Sequence, residues 1–187
     1  MDRIKRVSLF FRVIFQVLIV VMPIVFVVSW LIHQGSMSIG GVTASFIPSQ
    51  YTVTGAEGGV LAHPLNALEI FMGMAVSAIP LFIELYIVAM LVRLFRLYEK
   101  GEIFSINNVH CIRNMGYGLL LYQFVNPVCE ALMGFILTWR NLPGHRFASI
   151  SLDQTNVGIL FIAFFMILIS WVMAEGCRLH EDQQLTI

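Results

Sequence analysis

Charge is scarce in this chain. Only 12% of its 187 residues are Asp, Glu, Lys or Arg, against 58% that are hydrophobic, and the mean hydropathy is +0.84. Soluble domains carry about 25% charged residues, and a globule of this size would lack the polar groups to cover so much apolar surface. A water-soluble fold is therefore excluded. Acidic and basic residues number eleven each, so no net charge points to a polyanionic partner. Cysteine is nearly absent. Cys111, Cys129 and Cys177 form no C-x-x-C pair and no even framework, so they read as buried or reduced thiols rather than a disulfide scaffold.

Missing motifs argue against most familiar membrane chemistry. His33, His63, His110, His145 and His180 all fall at span ends or in loops, so the spans hold no paired axial ligands for a haem. There is no H-E-x-x-H and no glycine-rich phosphate loop opening a helix. No serine is paired with a histidine inside a span, as an activated nucleophile would need. Nothing resembles a nucleic-acid module. The sequence thus predicts no enzyme, no cofactor, no metal and no direct nucleic-acid contact.

The chain does contain four apolar blocks of roughly 20 residues or more, the length that lets a helix cross about 30 Å of hydrocarbon. They predict spans at about 9–32, 67–94, 115–139 and 157–173, an all-α four-helix membrane bundle forming one integral domain in contact with lipid. The first apolar run follows the basic MDRIKR. It is too long for a signal peptide and lacks a small-residue cleavage site, so a retained span is expected, with Trp30 at its outer interface. Arg12 and Gln16 share a face near the inner end, and Arg12 reads as snorkelling to the headgroups. Nine basic residues flank the two ends and the middle hairpin, while the two opposite loops hold only Arg140 and Arg146. This asymmetry places both termini in the cytoplasm.

Residues 33–64 contain no Lys or Arg. Val42, Ser45, Phe46, Tyr51 and Val53 alternate among Gly, Ser and Thr, predicting short strands or a packed loop that caps the outer helix ends; FASISLD alternates likewise. In the second span Pro80 predicts a kink. From Val88 onward the helix continues past the bilayer, with Leu91, Leu94, Phe95 and Tyr98 interleaved with Arg93, Arg96 and Lys100. Gly101 ends it as a C′ glycine. Ser105 then caps a new helix whose Ile106, Val109, Ile112 and Met115 are placed to pack back on the extension. Helices 2 and 3 are thus expected to be prolonged into the cytoplasm. Asn126-Pro127 is expected to interrupt the third span. Gly116, Gly118 and Gly134 permit close helix approach, within the chain or in a homo-oligomer. The fourth span holds no ionisable residue and reads as a lipid-facing scaffold helix followed by a polar inner tail.

The polar residues left inside the membrane are Glu84, Gln123, Asn126 and Glu130. Intramembrane carboxyls are costly and functional by default. Glu84 lies roughly 15 Å from the inner end of its span and Glu130 roughly 13 Å from the outer end of its own, at 1.5 Å per residue. The four residues form either a proton- or cation-accessible relay or a set of interhelical hydrogen bonds acting as polar glue.

The segments A-I-P-L-F-I-E-L-Y (78–86), E-K-G-E-I-F-S-I-N-N-V-x-x-I-R-N-M-G (99–116) and the terminal L-T-I resemble a bacterial membrane family catalogued as domain of unknown function 2975. The shared features are Pro80, Leu85 and Tyr86 in the second span, Gly101, Phe104 and Ser105 at the corner, Val109 and Ile112 after it, and Leu185, Thr186 and Ile187. The resemblance covers most of the second to fourth spans; the long outer loop and Glu84 carry none of it. It implies four spans in the bacterial inner membrane, no assigned activity, and genes often placed beside a small helix-turn-helix regulator. Arg93, Arg96, Lys100, Phe104, Ser105, Leu185, Thr186 and Ile187 then become a candidate cytoplasmic surface for a regulatory protein. The expectation is a non-catalytic inner-membrane protein acting through protein contacts, in signalling or stress response. The alternative is a small transporter or channel subunit built on Glu84, Asn126 and Glu130.

Overall fold

A computed structural model of the protein describes residues 2–32, 36–39, 42–45, 66–102, 105–140, 148, 150 and 154–184. Four helices dominate: α1 (Asp2–Ile32), α2 (Ala67–Lys100), α3 (Ile106–Thr138) and α4 (Gln154–Gln184), with strands β1 (Ser36–Ile39) and β2 (Val42–Ser45) between α1 and α2. All four helices are long and apolar enough to cross a membrane, the make-up of a multi-pass membrane protein.

The helices hold 31, 34, 33 and 31 residues, or about 46–51 Å at 1.5 Å per residue. Each overruns about 30 Å of hydrocarbon, whereas the sequence predicts prolongation of helices 2 and 3 alone. In particular α4 continues to Gln184, through the segment read as a polar tail. Hydropathy marks where apolar solvent ends; the helix persists because Ala, Glu, Arg, Leu and Gln after Met173 are good helix formers. Likewise Asn126-Pro127 does not break α3. A proline costs a membrane helix one hydrogen bond, and neighbours can re-satisfy the freed carbonyl.

Local chemistry sets the helix ends. At the start of α2, the Asn66 side-chain oxygen accepts from Ala67 N–H at 3.0 Å, and Glu69 Oε2 accepts from Asn66 N–H at 2.7 Å. The second of these is the return bond of a capping box, which places Asn66 at the N-cap. At the end of α2, Gly101 has φ +84°, its N–H donates to Tyr98 C=O, and Glu102 N–H donates to Leu97 C=O, both at 3.1 Å. This pair of bonds is a Schellman motif. The two strands pair antiparallel from Ser36↔Ser45 to Ile39↔Val42, placing a short hairpin where the sequence predicts strands. Phe46, Tyr51, Val53 and most of FASISLD lie outside the described residues.

The chain divides into two compact units. The first comprises Met1–Val20, Ile83–Gln123 and Asp153–Ile187, and the second Val21–Phe82 and Phe124–Leu152. In each of the three helices it crosses, the division falls within four residues of a proline, at Pro23, Pro80 and Pro127.

In the first unit, Leu94 of α2 and Cys111, Ile112 and Met115 of α3 form the core, with Met90, Leu91 and Tyr98 of α2 and Met166 and Met173 of α4 packed around it. Val109 is buried as predicted, but Ile106, in the first position of its helix, is exposed. Gly118 lies against Ile87, and Gly116 against Ile167 and the Ala163 carbonyl. These two glycines therefore serve contacts within the chain. Outside that contact α4 is largely bare, with Phe161, Phe165, Trp171 and Val172 all exposed. A helix so apolar and so little covered needs lipid as its solvent, in keeping with the predicted lipid-facing role.

In the second unit, Trp30 is fully buried rather than placed at an interface, its ring lying on Gly73. Phe26, Ser29, Met133 and Leu137 are buried with it. The sequence position of Trp30, at the end of an apolar run, suits both an interfacial belt and a packed helix contact; the missing side chain at residue 73 selects the contact. The three cysteines are free and buried, as expected.

Candidate functional site

The α2–α3 corner presents one predicted surface. Arg93, Arg96 and Lys100 are exposed, and among the described residues none of them enters an ion pair. The corner beneath them is held at several points. The Schellman bonds fix the end of α2, and the Ser105 hydroxyl accepts from Asn108 N–H at 3.4 Å. The fully buried Asn108 spans the turn by donating its side-chain amide to Glu102 C=O. One turn on, Arg113 and His110 Nδ1 approach to 2.8 Å. Phe104, Leu185, Thr186 and Ile187 lie outside the described residues.

Glu84, Asn126 and Glu130, of the four polar residues predicted within the spans, find local partners. Asn126 donates its amide to Glu130 at 2.8 Å, one turn apart on α3 in the second unit. Glu84, half-buried in the first unit, has the Tyr122 side chain as a hydrogen-bond partner. Gln123 is buried in that same unit, and its Oε1 has no hydrogen-bond partner among the described residues. Each acid is thus satisfied inside its own unit.

Two further constellations escaped the sequence reading. The first joins α1 to α2 in the first unit. Arg12 Nη1 meets Glu99 Oε2 at 2.5 Å, with the two side chains only 27% and 16% exposed. Beside it Phe95 stacks on Phe11 and Phe15, with ring centroids 5.4 and 5.7 Å apart. Arg12 is therefore paired rather than snorkelling alone. Only the three aromatics hinted at this seam, since the ion-pair partners stand 87 residues apart.

The second constellation is a cavity of about 280 Å³ in the second unit, where α2 begins and α3 ends. Leu68, Met72, Phe135 and Ile136 form its apolar wall, and Glu69 and Arg140 its charged rim. Arg140 Nε stands 3.9 Å from Glu69 Oε1, too far for a hydrogen bond. Glu69 Oε1 is buried with no hydrogen-bond partner among the described residues. Trp139 packs edge-on against Phe135 at 5.0 Å at the same end. The sequence signals were a carboxylate in the first turn of a span and an arginine just past another, and they do not show that the two meet. Among the described residues no three His, Cys, Asp or Glu side chains gather as metal ligands.

A family described as a protein of unknown function (DUF2975) matches residues 42–187. That stretch takes in the outer segment from Val42 and Glu84, where the motifs alone carry no resemblance. No curated protein and no solved structure matches the chain.

Proposed function

We propose that this chain, which belongs to the DUF2975 family of proteins of unknown function, is a non-catalytic bacterial inner-membrane protein that works through protein–protein contacts. In this reading both termini and the α2–α3 corner face the cytoplasm, and the protein is the membrane half of a signalling or stress-response pair. One observation carries the proposal: three exposed cations, Arg93, Arg96 and Lys100, enter no ion pair among the described residues and stand on a corner fixed by a Schellman motif and a buried asparagine bridge. A preorganised cationic edge suits an acidic protein surface, because little ordering is needed on binding and unlike charges steer the encounter. Conduction is less well supported, since Glu84 and Glu130 each have a neighbour in their own unit and a relay would have to break both pairings.

The test is in-cell photocrosslinking from position 96, comparing the parent with a chain carrying Arg93→Gln and Lys100→Gln. A discrete cytoplasmic adduct that weakens in the double variant is expected. Adducts to lipid alone, or equal protein adducts in both chains, would refute the proposal. Proton flux into vesicles holding the parent, lost in Glu84→Gln or Glu130→Gln, would establish the transporter reading instead.

A further inference from the structure

The geometry points to the Glu69–Arg140 cavity as a binding site for a phospholipid with a primary-ammonium headgroup. The site lies at the beginning of one membrane helix and the end of another; with the spans predicted from the sequence to end near residues 67 and 139, it falls where headgroups meet hydrocarbon. Trp139, half-exposed beside it, is the residue type that favours this depth. Its inner wall is apolar and suits the upper part of an acyl chain. At about 280 Å³ it falls just short of ordinary ligand pockets of about 300–1,000 Å³, so it takes the headgroup and the first methylenes while the rest of the lipid stays in the bilayer.

The rim carries the specificity. Glu69 is 94% buried. Its Oε2 is engaged by Asn66 N–H, leaving Oε1 as a buried acceptor with no donor among the described residues. A buried carboxylate oxygen is costly until an N–H or O–H reaches it. Arg140 does not supply that donor, because its Nε stops at 3.9 Å and half of its side chain faces outward. A guanidinium so placed is free to hold a phosphate, often through two parallel N–H bonds. The pair therefore offers a cation for a phosphate beside an acceptor for an ammonium N–H. An ethanolamine headgroup carries both partners. A choline headgroup has no N–H to give, and a glycerol headgroup has hydroxyl donors but no cation.

Native mass spectrometry of the full chain in detergent, with equimolar phosphatidylethanolamine, phosphatidylcholine and phosphatidylglycerol, tests this directly. Retention of the ethanolamine lipid about tenfold over the other two is expected, the worth of one charge-assisted hydrogen bond. Glu69→Gln should abolish the preference without unfolding α2, because Gln also serves at the third position of a capping box. Arg140→Gln should lower retention of all three lipids and keep their order. Equal retention of the three by the parent, or an unchanged preference in Glu69→Gln, would overturn the assignment and leave Glu69 as a helix cap alone.

Discussion

Replacing Gly73 with alanine probes the packing of the second unit, and the expected result changes sign with its neighbour. A methyl at this position would meet Trp30 Cη2 at 2.5 Å, Cζ3 at 3.0 Å and Cζ2 at 3.4 Å. Trp30 is fully buried, so its ring has no open side to swing toward. Overpacking of this kind costs about 1–3 kcal/mol. Alanine also replaces glycine inside a helix, a gain of about 0.8–1.0 kcal/mol. The net loss in the parent is therefore about 0–2 kcal/mol, too small a value to decide anything alone. Trp30→Phe removes the outer indole atoms that would clash. On that background Gly73→Ala should keep only the helix gain and become stabilising, giving a coupling of about 1–3 kcal/mol. The buried thiols of Cys111, Cys129 and Cys177 provide the assay. A thiol-reactive fluorophore reports unfolding in detergent, and each kcal/mol should move Tm by about 2–4 °C in a chain of this size. A coupling below about 0.5 kcal/mol, the range of independent sites, would refute the Trp30–Gly73 contact.

Gly116→Ala should destabilise by about 1–3 kcal/mol before its helix gain, because the new methyl meets Ile167 at 2.7 Å and the Ala163 carbonyl at 3.1 Å. Gly158→Ala and Gly176→Ala face open space and should raise Tm in the same assay, each being worth about 0.5–1 kcal/mol. Gly101→Ala meets no neighbour within 4 Å but must hold φ +84°; its cost of about 1–2 kcal/mol is conformational, and Asn at this position should recover part of it. A double-mutant cycle on Arg12→Gln and Glu99→Gln should give a coupling of about 1–3 kcal/mol, between the exposed and buried limits for an ion pair. Because both side chains are mostly covered, 0.5 M salt should reduce that coupling only slightly.

The number of spans and the α2–α3 corner were legible in the sequence because both depend on local chemistry. A run of apolar residues needs only its own length to be read, and Gly101 and Ser105 act through bonds within a few residues. Tertiary pairings left no such mark. Arg12 finds Glu99 across 87 positions, and Glu69 approaches Arg140 from another helix. Trp30 went the other way: its place at the end of a span imitates an interfacial anchor, and only the bare backbone at Gly73 reveals the buried contact. The helical ends of α1 and α4 lie beyond the spans read from hydropathy for a further reason. Hydropathy measures transfer into lipid, while Asp2–Arg6 and Ala174–Gln184 remain helical through backbone propensity.

Between helices in lipid the hydrophobic effect contributes little, so close packing and polar contacts must order them. Close glycine contacts at Gly73, Gly116 and Gly118 supply packing of this kind. The hydroxyls do something different. Ser29, Ser77, Thr138 and Ser170 each donate to a carbonyl three or four residues back on their own helix, at 2.6–2.8 Å. A hydroxyl bonded to its own helix has no donor left to line a water path, which weighs against conduction. Among the described residues, the buried side-chain oxygens Glu69 Oε1, Glu99 Oε1 and Gln123 Oε1 stand apart from this local satisfaction. Of these, Glu69 is the one that faces a cavity with a cation at its rim. A carboxylate oxygen left there without a donor among the described residues is explained if the donor comes from the bilayer, which is the premise of the proposed lipid site and asks for no transported ion.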